Sequence, residues 1–169
     1  MEIGLSLGSN LGDRLANLRR AAARVAALSG VRVLDAAPIY ETEPVGARPE
    51  YAHLKYLNTV LIIDAPTDLD ALSRAVHAIE NDLGRVRTDD RNAPRTIDID
   101  ILFAGNVARA DGILDLPHPR WAQRRFVVQP LADVRPDLTI SGTHLTVSAI
   151  LAALPPGEAV RKIADDWLA

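Results

Sequence analysis

Residues 95–103 read Arg-Thr-Ile-Asp-Ile-Asp-Ile-Leu-Phe, and the interpretation of the fold starts from this stretch. Apolar and polar residues alternate strictly, which is typical of a β-strand with one buried face. The isoleucines would share that face, whereas Asp98 and Asp100 would lie on the other, with Cα atoms roughly 6.5–7 Å apart along the strand. Because neighbouring carboxylates repel each other, we expect a positive partner beside them.

The positive partner of the two aspartates has more than one interpretation. Mg²⁺ prefers oxygen ligands and is commonly held by one or two carboxylates together with substrate phosphates. Alternatively, this face of the strand is simply exposed to solvent, or the aspartates pair with arginines. The strand by itself leaves these interpretations open.

Length and composition predict one domain over residues 1–169, with enough chain to bury a substantial core. The content of 48% hydrophobic and 24% charged residues is ordinary for a globular protein. No apolar run approaches the roughly 18 residues of a membrane span, and the N-terminus lacks the pattern of a signal peptide. The absence of cysteine excludes disulfides and thiolate sites. We therefore expect a cytoplasmic protein with no membrane partner.

The basic residues are unevenly distributed. All but two of the 19 Lys and Arg residues are arginines, and eight of them lie between Arg85 and Arg125. Guanidinium groups suit bidentate contacts with phosphate. The net charge of −3, however, argues against a polyanion-binding surface over the whole molecule. The charge pattern favours a local phosphate site over a nucleic-acid interface.

The spacing of apolar residues predicts the order of the secondary structure. Intervals of three and four predict helices over 13–28 and 68–83, and alternation or apolar runs predict strands over 2–7, 31–40, 55–64 and 96–103. Further on we expect a short hairpin, a helical turn, a short helix and an irregular tail, with the first three at about 107–116, 121–125 and 147–154. The expected fold class is α+β, with a ferredoxin-like βαββαβ core. In this fold an antiparallel sheet carries its helices on one face, here with a C-terminal hairpin and short helix added.

Several motifs follow one another along the chain. They are Gly8-Ser9-Asn10-Leu11-Gly12-Asp13, Tyr40-Glu41-Thr42-Glu43-Pro44-Val45-Gly46, Tyr56-Leu57-Asn58, Glu80-Asn81-Asp82-Leu83-Gly84-Arg85-Val86-Arg87, Pro94-Arg95-Thr96-Ile97-Asp98-Ile99-Asp100-Ile101-Leu102, Leu116-Pro117-His118-Pro119-Arg120 and Arg124-Arg125-Phe126-Val127. With these motifs the chain resembles the 6-hydroxymethyl-7,8-dihydropterin pyrophosphokinases, a family of folate-pathway enzymes, over roughly residues 3–137. The combination of Arg-Thr-Ile-Asp-Ile-Asp with a downstream Pro-His-Pro-Arg is highly specific.

The resemblance implies a reaction and a cofactor. The β,γ-diphosphate of ATP, the co-substrate, would be transferred to the hydroxymethyl group of the reduced pterin, and AMP would be released. Asp98 and Asp100 would hold two Mg²⁺ ions, one bridging towards the α- and β-phosphates and the other towards the β- and γ-phosphates. We expect small-molecule partners only, and a monomer.

The resemblance also implies roles for individual residues. The catalytic group would comprise Asp98, Asp100, Arg85, Arg95 and His118. ATP would be bound by His77, Glu80, Arg87, Arg91, Arg95, Ile101, His118 and Arg124. The pterin would be bound by Thr42, Val45, Tyr56, Asn58 and Phe126. Three further arginines, Arg109, Arg120 and Arg125, have no clear assignment.

One position departs from the family pattern. Many members carry a tryptophan just before Gly-Pro-Arg or Ala-Pro-Arg, and it stacks over the pterin when its loop closes. Here the position is Asn92, within an arginine-rich loop at 85–95. This loop is predicted to be a mobile lid that closes mainly through contacts with phosphate.

Two other classes of protein remain possible from the sequence. RNA-binding modules also use ferredoxin-like sheets, but they need strand aromatics and a basic surface. The chain has only two Phe, three Tyr and two Trp, and its net charge is negative. A regulatory domain that binds a small molecule without catalysis would not require paired aspartates beside an arginine-rich loop.

Overall fold

A computed structural model describes residues 1–168 of the chain. Its six strands are β1 (Glu2–Ser9), β2 (Arg32–Ala36), β3 (Ile39–Thr42), β4 (Tyr56–Asp64), β5 (Asp98–Ala104) and β6 (Val160–Ala164). The α-helices within this range are α1 (Arg14–Ala26), α2 (Leu69–Asp82), α3 (Arg125–Val134) and α4 (Val147–Ala153), and short 3₁₀ turns occur at Pro49–Tyr51 and Trp121–Gln123. None of these helices is long and apolar enough to cross a bilayer.

The strands form one antiparallel sheet in the order β5-β1-β4-β3-β6. The strand β2 pairs with the second half of β4, and β3 pairs with the first half. The α+β class and the βαββαβ element order of the core are confirmed. The strand predicted over 31–40 is divided into β2 and β3. Pro38 lies at the division, where it cannot donate a ladder hydrogen bond.

The helices α1 and α2 begin where aspartates cap them. The side chain of Asp13 accepts a hydrogen bond from the Ala16 N–H at 3.0 Å, and that of Asp68 accepts one from the Ala71 N–H at 2.9 Å. Each cap satisfies an N–H group that has no partner within its helix. The apolar stripe that follows each cap packs on one face of the sheet, where Leu5 of β1 is fully buried.

The opposite face of the sheet is only partly open, because α3 and α4 cover one end of it. Val60, Ile62 and Phe103 pack there against apolar residues of these two helices. An irregularity in the pairing of β1 and β5 beside Gly4 turns both Leu102 and Phe103 towards this face. The predicted placement of helices on one face holds for α1 and α2. The added helices are the exception, and they leave room for ligands only beyond their ends.

Two predictions for the C-terminal third are wrong, and one of its helices was not predicted. Over 107–116 a single bridge, between Arg109 and Leu116, replaces the hairpin. The apolar run near Pro130 forms the ten-residue helix α3, which contains this proline. The tail is not irregular, because β6 pairs with β3 and the indole N–H of Trp167 donates to the Ala37 carbonyl at 2.8 Å.

We expect Trp167→Ala to lower the free energy of unfolding by about 3–5 kcal/mol, because it opens a cavity in the core. Trp167 is 1% exposed, and its backbone carbonyl accepts a 2.6 Å hydrogen bond from Arg19 Nε. Urea denaturation followed by circular dichroism measures this change. Ile163→Ala is the control, because that side chain is 43% exposed. Equal stability of the two variants would contradict a structural role for the tail.

Candidate active site

An open cleft of about 670 Å³ occupies the uncovered part of the sheet. Its floor is formed by Ser6 and Gly8 of β1, Asn58 of β4 and Asp98 and Asp100 of β5. Gly8 cannot be replaced without disturbing this floor, since a Cβ atom there would lie 2.7 Å from Asn58 Oδ1. Loops before β4, before β5 and before α3 form the walls. The alternation of β5 therefore directs both predicted carboxylates into the cleft.

The two aspartates have different partners. Asp98 Oδ1 accepts a hydrogen bond from Arg85 Nη1 at 2.6 Å, and Asp98 Oδ2 accepts one from Arg95 Nη1 at 3.2 Å. Within residues 1–168, the one basic side chain in contact with Asp100 is His118, whose Nε2 lies 3.9 Å from Asp100 Oδ2. Burial and the charge of Asp98 together raise the pKa of Asp100 to about 7. The arginine pairing that the sequence left open is thus observed for Asp98, whereas Asp100 has no arginine partner among the described residues.

Glu80 lies beneath the cleft and is 1% exposed. Its Oε1 accepts from Arg85 Nη1 at 2.6 Å and from the Ile99 N–H at 2.7 Å, and its Oε2 accepts from Arg87 Nη2 at 2.6 Å. Burial raises the pKa of this carboxyl, while the Ile99 N–H and Arg85 favour its charged form. Glu80 and Arg87 line neither cavity of the site. Both carboxylate oxygens of Glu80 are thus bonded to protein groups, and its contact with ATP stays a prediction.

Three guanidinium groups of the cleft have no carboxylate partner in the described part of the chain: those of Arg91, Arg120 and Arg124. The Arg124 guanidinium lies 5.5 Å from the centre of the Phe126 ring. Burial, and to a smaller extent the nearby charge of Arg120, lowers the pKa of Arg124. Arg91 and Arg120 are exposed and Arg124 is half-buried. Guanidinium groups without a counterion favour binding of an anion such as phosphate.

His118 is oriented by its neighbours. The backbone N–H of His118 donates to the Leu102 carbonyl at 2.8 Å, and its ring Nδ1 accepts from the backbone N–H of Arg120 at 3.1 Å. With Nδ1 as an acceptor, the ring proton resides on Nε2, which faces Asp100. Burial and the charges of Arg124 and Arg120 lower the pKa of His118, which favours the neutral ring.

The residues predicted to bind the pterin all line the cleft: Thr42, Val45, Tyr56, Asn58 and Phe126. Asn58 is buried, and its Nδ2 donates to Thr42 Oγ1 at 2.7 Å. This bond fixes which end of the Asn58 amide faces the cleft. Phe126 presents a ring at the opposite wall, so the arrangement suits a flat ligand with a polar edge.

A smaller cavity of about 200 Å³ adjoins the cleft. It shares Asp100 and His118 with the cleft, and its other lining residues include His77 of α2 and Ile101 of β5. The structure therefore separates the predicted ATP contacts into two groups. His77 and Ile101 lie at the smaller cavity, and Arg91, Arg95 and Arg124 lie at the cleft.

Sequence reasoning missed several residues of the cleft. Arg120 is part of its wall, although it was left unassigned; its place directly after Pro-His-Pro was the available signal. Glu158 also lines the cleft, and no motif surrounds it. The other two unassigned arginines have structural partners: Arg109 pairs with Asp70 and Asp111, and Arg125 donates to backbone carbonyls.

Comparisons with known proteins agree with this arrangement. The family model described as 7,8-dihydro-6-hydroxymethylpterin-pyrophosphokinase (HPPK) matches residues 4–136. A 2-amino-4-hydroxy-6-hydroxymethyldihydropteridine pyrophosphokinase from Methylorubrum extorquens is 40% identical over 152 residues, covering 90% of this chain and 92% of the relative. The enzyme of the same name from Bacillus subtilis is 38% identical, with coverages of 77% and 75%.

Longer proteins contain a related segment. The folic acid synthesis protein fol1 of Schizosaccharomyces pombe is 35% identical over 89% of this chain, which spans only 20% of that protein. Among solved structures, a Plasmodium falciparum HPPK-DHPS with pterin and p-hydroxybenzoate has a TM-score of 0.67 at 15% identity. It is matched over 89% of this chain and 43% of its own length. At that identity the likeness concerns the fold alone.

Proposed function

The chain belongs to the 7,8-dihydro-6-hydroxymethylpterin-pyrophosphokinase family, and from this premise we propose that it transfers the β,γ-diphosphate of ATP to the hydroxymethyl group of 6-hydroxymethyl-7,8-dihydropterin. AMP is the second product, and the reaction belongs to folate biosynthesis. The observation that carries the proposal is the position of Asp98 and Asp100 between unpaired guanidinium groups and a pocket suited to a flat polar ring. A cytoplasmic monomer completes the proposal.

The carboxylates of β5 fit the magnesium ions that the family implies. Within residues 1–168, no group of three or more His, Cys, Asp or Glu side chains is arranged to hold a metal ion. Mg²⁺ commonly uses one or two carboxylates and completes its shell with waters and substrate phosphates. Asp98 and Asp100 would hold two such ions, which would supply positive charge to the phosphate oxygens. Arg85 and Arg95 keep Asp98 oriented towards the cleft.

The remaining charged groups of the cleft would hold the triphosphate. The transfer requires the attacking hydroxyl oxygen, the β-phosphorus and the leaving oxygen of AMP to lie in line. Positioning and charge stabilisation therefore dominate catalysis. Arg91, Arg120 and Arg124 are the guanidinium groups of the cleft that would contact phosphate oxygens, and His118 Nε2 would donate a further hydrogen bond. Asp98 would accept the hydroxyl proton by exchanging one of its bonds to Arg85 or Arg95, because both of its oxygens are already bonded. Arg87 would reach the phosphates only by exchanging Glu80 for them.

The nucleoside and the pterin would occupy different parts of the site. The smaller cavity beside His77 and Ile101 suits the adenine, because it opens towards the carboxylates through Asp100 and His118. The pterin would stack on Phe126 with its polar edge on Asn58. Since the Asn58 amide donates to Thr42, its carbonyl oxygen remains to accept from the pterin.

Incubation with Mg²⁺-ATP and the reduced pterin alcohol tests this function. We expect equal amounts of AMP and a pterin diphosphate, separated by chromatography. Stoichiometric ADP would indicate an ordinary kinase. Pterin binding without nucleotide turnover would indicate a regulatory domain, and retained RNA without AMP would indicate an RNA-binding module.

The amide hydrogens of the loop over 85–95 are expected to exchange with solvent more slowly when ATP binds. It contacts the neighbouring loop through Asn92 Nδ2, which donates to the Gly46 carbonyl at 3.1 Å, and through an ion pair of Arg48 with Asp90 at 3.1 Å. Arg48 and Asn92 are exposed, so these contacts hold the middle of the loop weakly, whereas its ends are bonded to Glu80 and Asp98. Bound polyphosphate would give Arg91 the counterion that it lacks, so the loop would close over the site.

Hydrogen exchange followed by mass spectrometry measures this closure. A non-hydrolysable ATP analogue with Mg²⁺ is expected to protect 85–95 strongly, and pterin alone only slightly, because Asn92 offers no ring to stack on the pterin. Residues of β4 serve as the internal control. Equal protection of the loop with and without both ligands would show that it is not a lid.

A further inference from the structure

The segment that joins α4 to β6 grips the start of α3. The Glu158 carboxylate accepts hydrogen bonds from two consecutive backbone groups: Oε2 from the Arg125 N–H at 3.0 Å, and Oε1 from the Phe126 N–H at 3.3 Å. In return, Arg125 Nη2 donates to the carbonyls of Leu154 and Pro155 at 3.2 and 3.3 Å. Arg125 is therefore held at its backbone and at its side chain.

Glu158 supplies a cap that α3 does not provide for itself. Arg124 occupies the N-cap position, and its side chain makes no capping hydrogen bond. Without Glu158, the first N–H groups of α3 would have no partner in this segment, and the positive end of the helix would face the cleft without a counter-charge. The carboxylate satisfies both requirements from a position 33 residues further along the chain.

The two residues that flank Arg125 are the ones that face the substrates. Arg124 and Phe126 line the cleft, and the Arg124 guanidinium lies 5.5 Å from the centre of the Phe126 ring. A shift or rotation of the first turn of α3 would move both side chains together. The position of the stacking ring thus depends on the contacts of Arg125.

We propose that Glu158 is a positioning residue, which with Arg125 forms a clamp that sets Arg124 and Phe126 for binding of the pterin and the transferring phosphates. Glu158 lies after residue 136, the last residue that the family model matches. This inference rests on the proposed function, because it concerns the affinity for the pterin. The clamp acts on the pterin end of the cleft, whereas the cavity beside His77 is formed by other elements.

Removal of the clamp should therefore weaken pterin binding more than nucleotide binding. Glu158→Ala is expected to raise the dissociation constant of the reduced pterin alcohol roughly tenfold, the size of effect that loss of a helix cap and two hydrogen bonds can produce. The constant is measured by fluorescence titration with a saturating non-hydrolysable ATP analogue and Mg²⁺. Binding of the analogue itself is measured by calorimetry and should change less.

Three further variants make this measurement specific. Glu158→Gln keeps an acceptor oxygen and should recover most of the affinity. Arg125→Met removes the guanidinium but keeps the N–H, and should raise the same constant by a smaller factor; these two variants carry the test if Glu158→Ala does not fold. Lys162→Ala is the control. It also removes a charge from this part of the chain, but Lys162 pairs with Asp165 at 3.2 Å and not with Glu158 or Arg125.

The outcomes separate the possible roles of Glu158. A purely structural role would lower the fraction of molecules that bind the pterin, without changing the dissociation constant of the rest, and would overturn the proposal. An unchanged constant in folded Glu158→Ala would overturn it as well. If the wild-type protein itself makes no AMP from ATP and the pterin alcohol, the proposed function fails. If the wild type turns over and Glu158→Ala binds pterin equally well, only the clamp fails.

Discussion

Asp98→Asn and Asp100→Asn are each expected to lower turnover by at least about 10³-fold. Each removes a carboxylate that would hold Mg²⁺, and Mg²⁺ would in turn hold the phosphates. Their effects on the stability of the metal-free protein should be opposite. Asp98 accepts hydrogen bonds from Arg85 and Arg95, so its removal should cost about 1–3 kcal/mol. Asp100 has no arginine partner within residues 1–168, so its removal relieves repulsion.

The gain from Asp100→Asn should depend on pH. The folded-state pKa of Asp100 is raised to about 7, so the folded protein binds this proton more tightly than the unfolded chain does. Wild-type stability therefore falls as pH rises from about 4, the unfolded pKa of aspartate, to about 7. The variant lacks this loss. Because the side chain is 41% exposed and solvent screens the repulsion, we expect a gain of about 1 kcal/mol at pH 8 and none at pH 4.

Thermal and chemical denaturation in chelator, at pH 4 and pH 8, measure these changes, and steady-state assays at saturating Mg²⁺ measure turnover. Asp137→Asn is a control, because this carboxylate is exposed on the connection between α3 and α4. Near-normal turnover in either β5 variant would remove these carboxylates from the mechanism. A loss of stability in Asp100→Asn at pH 8 would show that Asp100 has a stabilising partner in the metal-free protein.

Glu80→Ala should both destabilise the protein and inactivate it. Glu80 is 1% exposed and binds Arg85, Arg87 and the Ile99 N–H, so its removal leaves the strand N–H without its acceptor and Arg85 with Asp98 as its one carboxylate partner. Breaking a buried charged pair in this way typically costs about 3–5 kcal/mol. Activity should fall with it, because Arg85 and Asp98 would lose the buried carboxylate that fixes their position.

The exposed pair of Arg24 and Asp82 offers a matched control for Glu80, since its atoms also lie 2.6 Å apart but its side chains are about half exposed. Asp82→Ala should cost no more than about 1 kcal/mol. Urea denaturation compares the two variants. If Glu80→Ala unfolds no more easily than Asp82→Ala, the network beneath the cleft does not stabilise the fold.

Local patterns in the sequence predicted the elements that build the floor of the site. Strict alternation placed Asp98 and Asp100 on one face of β5, and the aspartates before α1 and α2 marked where these helices begin. Each of these signals acts within a few residues, so the sequence contains it whole. The assignment of individual roles came from the motifs, and those roles remain predictions.

The features that were missed depend on contacts between distant parts of the chain. The strand β6 is recognised only beside β3, because its own residues are mostly exposed and show no alternation of burial. The helix α3 was not predicted, and it contains Pro130, a residue that is usually absent from helix interiors. Nothing in the sequence indicates that Arg85 and Arg87 fold back onto Glu80, whose role at ATP the family resemblance implied and which stays a prediction. Glu158 was overlooked for the same reason.

Phosphorus NMR of the purified pterin product tests the central claim most directly. Transfer of an intact diphosphate predicts two mutually coupled phosphorus signals on the pterin, and AMP as the only nucleotide formed from ATP. A single uncoupled signal accompanied by ADP would show transfer of one phosphate and would contradict the account. Absence of any phosphorylated pterin, with wild-type protein and saturating Mg²⁺-ATP, would contradict it as well.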